Sequence, residues 1–228
     1  MPEPMSTDII VSYAGTPNDD DALALGKALA RAGATLALAY VRHSREFDPR
    51  REELANHDAQ RRLESGANWL GDPDIARYVV FSASTGQGLA QLAESEGASL
   101  IVFGSDYRTP PGRAEPGQTA QYLLEGGSVA IAVAQAGLRT KAEAAINSIA
   151  AASSPSDDDA AQRTAQGLAE RLGADVLSNG AGPADMIVVA SQTGGPDRRI
   201  TLGGSTRSML NSALGSVIVL PRGAPLSF

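Results

Sequence analysis

One segment gathers residue types able to hold an anion: Ser191-Gln192-Thr193-Gly194-Gly195-Pro196-Asp197-Arg198-Arg199-Ile200-Thr201-Leu202-Gly203-Gly204-Ser205-Thr206-Arg207. Glycines let a backbone approach a phosphate closely. Arg198 and Arg199 add guanidinium donors, and Ser205 and Thr206 open a predicted helix over 205–213 whose first N–H groups carry partial positive charge. Ser191, Gly194, Gly204, Ser205, Thr206, Arg198 and Arg199 are therefore the candidate cofactor-binding residues. A Gly-rich surface loop ending in an ordinary Ser/Thr helix cap has the same composition, so both readings stand. No Gly-Lys-Ser/Thr occurs, which excludes a Walker A loop. The related loop from Gly104 to Thr119 is a poorer cradle. Pro110, Pro111 and Pro116 remove backbone donors, and Asp106 and Glu115 repel phosphate, so a structural role is expected there.

Other chemistry is thin. Asp19-Asp20-Asp21 and Asp157-Asp158-Asp159 suggest a hard cation, but consecutive helical residues point about 100° apart and converge poorly. Complementing a helix dipole is the expected role, with Asn18 as the cap of the first helix. His43 and His57 flank an Arg/Glu-rich stretch without a triad and read as solvated surface. Gly86-Gln87-Gly88 is too short for a dinucleotide fingerprint. No catalytic constellation emerges, and the chain is expected not to be an enzyme.

These residues sit in a chain of 228 residues with a formal charge of −7, no cysteine and two histidines. Thiolate metal sites, disulfides and a cysteine nucleophile are excluded, and a surplus of carboxylates argues against a dedicated nucleic-acid partner. No window is long and apolar enough for a membrane helix, and the opening residues lack a secretory pattern, so a soluble cytoplasmic protein starting at Met1 or Met5 is expected.

Comparing the chain with itself brings out its organisation. Thr16-Pro17-Asn18-Asp19-Asp20-Asp21-Ala22 returns 138 residues on as Ser154-Pro155-Ser156-Asp157-Asp158-Asp159-Ala160. Leu100-Ile101-Val102-Phe103-Gly104-Ser105 returns 86 residues on as Met186-Ile187-Val188-Val189-Ala190-Ser191, and Gly127-Ser128-Val129 returns 88 residues on. The spacing predicts two related units, 1–138 and 139–228, the second shortened by about 52 residues. Apolar runs at 9–13, 35–41, 76–81, 99–103 and 129–134 predict strands buried on both faces, with helices over 50–70 and 86–96. The second unit is expected to have strands near 146–151, 186–190 and 216–220 and helices near 156–172 and 205–213. Alternating strands and helices predict an α/β doubly wound parallel sheet. A unit shortened this far should lean on its neighbour or on another chain.

At the loops after the fourth strand, the chain resembles the universal stress protein family in a tandem form. Nucleotide-binding members carry Gly, two residues, Gly, nine residues, then Gly-Ser/Thr. Here Gly194 and Gly204-Ser205 keep the nine-residue spacing, with Ser191 at the first glycine. In the first unit Gly104 is kept, Tyr107 stands at the second glycine, and Gly117-Gln118 replaces the last pair. The family's Asp-Gly-Ser turn after strand one is replaced by Ala14-Gly15-Thr16 and Ala152-Ser153-Ser154, so the adenosine-facing Asp is missing twice. The resemblance implies an adenine nucleotide α-hydrolase-like fold, two copies packed as a pseudo-dimer, and a stress-response or regulatory role. It implies ATP with Mg²⁺, or another adenine nucleotide, as the ligand of the second unit. It further implies homo-oligomers formed through the last strand, at 129–134 or 216–220. The alternative is a scaffold that has lost its nucleotide and works through its surfaces.

Overall fold

In a computed structural model, residues 7–141, 145–152, 159–177 and 183–228 are described, with the side chains of Ser205, Asn211 and Ser212 left aside. The Met1/Met5 start, the turn at Ser153-Ser154, and Asp157 and Asp158 lie outside the described residues.

Short apolar runs form the strands and punctuated amphipathic stretches form the helices. In the first part these are β1 (Ile9–Ser12), α1 (Pro17–Ala30), β2 (Leu36–Arg42), α2 (Pro49–Leu70), β3 (Ala76–Phe81), α3 (Thr85–Glu96), β4 (Leu100–Phe103), α4 (Gln118–Leu124) and β5 (Ala130–Val133). A 3₁₀ turn at Leu138–Thr140 leads to β6 (Ser148–Ala152), α5 (Ala160–Leu172), β7 (Asp175–Leu177), β8 (Met186–Val189), α6 (Gly204–Ser212) and β9 (Ser216–Val219). The cap of α1 is Thr16, not Asn18. Pro17 fits the first helical position, where no N–H is needed, which moves the start back and makes Asp19 the third residue of a reciprocal capping box with Thr16. β7 escapes sequence reading because three residues beginning with Asp carry no periodic signal.

The strands form one nine-stranded sheet in the order β3-β2-β1-β4-β5-β9-β8-β6-β7. All pairings are parallel except β5 with β9, which is antiparallel with Ile131, Ala132 and Val133 opposite Val219, Ile218 and Val217. One core lies between the sheet and α1, α2 and α5; the other holds the inner faces of α3, α4 and α6. Strand order reverses at β1/β4 and again at β6/β8, the two places where such a sheet can open a crevice at its carboxyl ends.

The antiparallel joint corrects the strands expected to carry self-association. The two segments taken as free edges, 129–134 and 216–220, pair with each other inside the chain, and the sheet ends instead at β3 and β7. A short second part does lean on the first, through β9. Among the described residues no helix is long and apolar enough to cross a membrane.

Candidate functional site

At the β1/β4 reversal the crevice is filled. The start of α1 presses on Gly104 so closely that a Cβ there would collide with the Asn18 carbonyl, and Asn18 Nδ2 donates to the Ser105 carbonyl at 2.9 Å. Asp19 takes the N–H groups of Ala14 and Thr16 and the Thr16 hydroxyl. The Tyr13 hydroxyl donates to Asp20 at 3.4 Å. Burial holds the Asp20 carboxyl above the usual range, partly opposed by that hydrogen bond and by Arg139. Asp21 accepts from the backbone N–H of Gly137 and Arg139 and from the Arg139 guanidinium. The backbone donors of Ala14, Thr16, Gly137 and Arg139 are thus spent on the chain's own carboxylates, with the Arg139 guanidinium on Asp21 and that of Arg62 on the Ala14 carbonyl. Among the described residues no group of three or more His, Asp or Glu is placed to hold a metal ion.

The loop after β4 is a closed hairpin. Ser105 bridges to Pro116, and its buried hydroxyl donates to the Ala134 carbonyl at 2.6 Å and accepts from Glu115 N–H at 3.1 Å. The loop after β8 repeats this wiring 86 residues on. Ser191, 0 % exposed, donates to the Leu220 carbonyl at 2.7 Å and accepts from Thr201 N–H at 3.0 Å. α4 is capped by Gly117 and α6 by Gly203, each in extended backbone without a side-chain cap.

This wiring shifts the loop register by one residue from the spacing match. Ser191 stands where Ser105 stands rather than at Gly104, whose counterpart is Ala190, and Gly203 rather than Gly204 answers Gly117. The cause is physical: a hydroxyl that ties the loop to the next strand fixes the frame, whereas glycine spacing in a Gly-rich loop can be matched in more than one way.

The candidate residues separate accordingly. Ser191 is internal framework. Gly194 is exposed with open space around its Cα. Gly204 opens α6 at the surface and Thr206 is buried behind it. Arg198 and Arg199 turn toward the first part of the chain: Arg199 donates to the Gly126 carbonyl at 3.1 Å, Ile200 N–H donates to Gly127, and both arginines line a cavity against α3 and α4. Gly194, Gly204 and Thr206 do not line that cavity. Sequence reading took Asn18, which plugs the crevice, for a helix cap, and missed Gln192, whose side chain packs on Gly203, and Arg222, which contacts Gly195 and Asp197. The shared offset of Ser105 and Ser191 was the one available signal for the loop frame.

The family model described as the universal stress protein family matches residues 5–135, which run from before β1 through the filled crevice and the β4 loop to the end of β5. The chain belongs to the universal stress protein family. A universal stress protein from Archaeoglobus fulgidus DSM 4304 has the same fold, with a TM-score of 0.68 at 14 % identity over 96 % of this chain and 100 % of that one. A functionally unknown protein from Pseudomonas aeruginosa PAO1 gives a TM-score of 0.62 at 15 % identity over 96 % and 93 %. A universal stress protein solved in complex with cAMP reaches a TM-score of only 0.30, at 20 % identity over 42 % and 70 %, too low to carry its ligand across. No curated protein matches the chain.

Within this universal stress protein fold the two serines make a matched test. Ser105→Ala and Ser191→Ala each strand a buried carbonyl and a loop N–H, so each is expected to cost about 1–3 kcal/mol, and the pair to add. Urea denaturation checks both; a serine whose removal costs nothing is not framework.

Proposed function

We propose that this stress-response module of the universal stress protein family is a non-enzymatic, pre-joined pair: two family-type units, 1–138 and 139–228, held as a pseudo-dimer and acting through their surfaces rather than through a nucleotide in the first unit. The observation that carries this is the plug of Asn18 against Gly104 and Ser105 at the β1/β4 reversal. The pairing is supported by reciprocity at the joint. Arg113 bridges to Leu214, while Arg199, 86 residues on, reaches Gly126, 88 residues before Leu214. One contact is a backbone bridge and the other a guanidinium hydrogen bond, but both join the positions that a two-fold contact would bring together.

A second reading, ATP or another adenine nucleotide in the second unit, is favoured by the start of α6, where Gly203 caps without a side chain, Gly204 is exposed, and Ser205 and Thr206 follow. Calorimetric titration with ATP, ADP and AMP up to about 5 mM separates the readings, since weaker binding has little meaning at such a site. Absence of saturable heat supports the scaffold. Saturable binding lost in Gly204→Asp and kept in Gly117→Asp supports the second unit as the nucleotide site. Both substitutions put a carboxylate at a helix start, which the helix tolerates. Loss in both variants overturns the assignment to one unit. Light scattering is expected to give a monomer, because the strands that would pair two chains already pair within one.

A further inference from the structure

The cavity that receives Arg198 and Arg199 has a volume of about 730 Å³ and lies at the seam of the two units, between α3, α4 and the 198–199 turn. It exists because small residues line it: Ala90, Ala93, Ala98 and the Gly126-Gly127 turn leave room that larger side chains would fill. Tyr122, 59 % exposed, supplies an aromatic wall. The charges at its mouth have both signs. Glu94 and Glu125 line the same space as the two arginines, and among the described residues neither carboxylate, nor the Arg198 guanidinium, makes a hydrogen bond or ion pair. Arg198 is held at φ 54, and among the described residues it is the non-glycine with a left-handed backbone. Its N–H donates to the Arg222 carbonyl at 3.0 Å, and Arg222 N–H donates to the Arg199 carbonyl at 3.1 Å. A non-glycine residue keeps that conformation where its surroundings impose it, and here the imposed turn presents the arginine pair to the cavity.

We propose that this seam cavity binds a small zwitterion with a flat apolar body, of the class of the aromatic α-amino acids. Its carboxylate would meet Arg198 and Arg199, its ammonium group Glu94 and Glu125, and its ring the alanine floor and Tyr122. A simple anion or a simple cation would meet as much repulsion as attraction at such a mouth, which is why a ligand carrying both charges fits it. This site is independent of any nucleotide at α6.

Calorimetry on the full chain with three probes tests the proposal: tryptophan, 3-indolepropionate, which lacks the ammonium group, and tryptamine, which lacks the carboxylate. Tryptophan is expected to bind with a dissociation constant below about 1 mM and at least about fivefold tighter than either analogue. Arg198→Gly suits the left-handed backbone, so folding is safe; it should weaken tryptophan and 3-indolepropionate about fivefold and leave tryptamine unchanged. Glu125→Gln should weaken tryptophan and tryptamine only. Ala90→Phe, which fills the cavity, should abolish all three, while Gly204→Asp should change none. Three probes binding alike, no saturable tryptophan binding at about 5 mM, or indifference to Arg198→Gly overturns the proposal.

Discussion

Alanine at position 215 is expected to destabilise the chain by about 3–5 kcal/mol, through left-handed backbone strain added to an unrelievable collision. Gly215 has φ +106, and a Cβ there would strike the backbone carbonyls of Ala184 and Asp185, which belong to the approach to β8 and cannot swing aside as a side chain could. Its N–H donates to the Gly112 carbonyl at 2.9 Å, and the next residue, Ser216, donates its N–H to the Asp185 carbonyl and accepts at its hydroxyl oxygen from the N–H of Gln135. One residue thus sits where β8, β9 and the β4 loop of the first unit converge, so displacing it pulls on the antiparallel joint itself. Gly167→Ala is the matched control. It lies inside α5 with nothing within reach of a Cβ, and alanine there should stabilise by about 0.5–1 kcal/mol. Urea midpoints that move in the same direction for both variants would count against this account of the joint.

Asp21→Ala is the second large effect, at about 3–5 kcal/mol, because it strands a cation and two backbone donors around a side chain that is 1 % exposed. Arg139→Ala should cost less, about 1–2 kcal/mol, since Arg139 is 32 % exposed and Asp21 keeps its two N–H donors. A double-mutant cycle between the two is expected to give a coupling of at least about 1 kcal/mol. A coupling near zero would mean that the ion pair is incidental and that the backbone donors alone hold the turn.

The Asp triplet also marks how far sequence reading reaches. As letters the three carboxylates are equivalent, and helix-dipole complementation describes them all. In the fold Asp19 closes a capping box, Asp20 faces Tyr13, and Asp21 turns inward to the 137–139 turn. The signal was present: Asp21 falls in line with Leu25 and Ala28 on the buried face, the place where a carboxylate must find partners. The strands were legible because continuous apolar runs have few other homes. Their pairing was not. β5 and β9 are buried on both faces, and a run apolar throughout says nothing of whether its neighbour comes from the same chain or which way it runs. The site was legible by composition but not by frame, because a Gly-rich loop matches a glycine pattern in several registers and only the Ser191 hydroxyl chooses one.

Joining β5 to β9 within one polypeptide also alters what selection can do to each partner. Two identical subunits meeting across a two-fold axis must keep one surface that complements itself, so every substitution is felt twice. Once a tether holds the partners at an effective concentration in the millimolar range, on the order of that for short linkers, neither dilution nor exchange with relatives can separate them. Each side is then free to be edited alone. If the two units are the joined pair proposed above, one can shed two helices and a strand, and the other can seal its crevice, without either loss being copied across the axis.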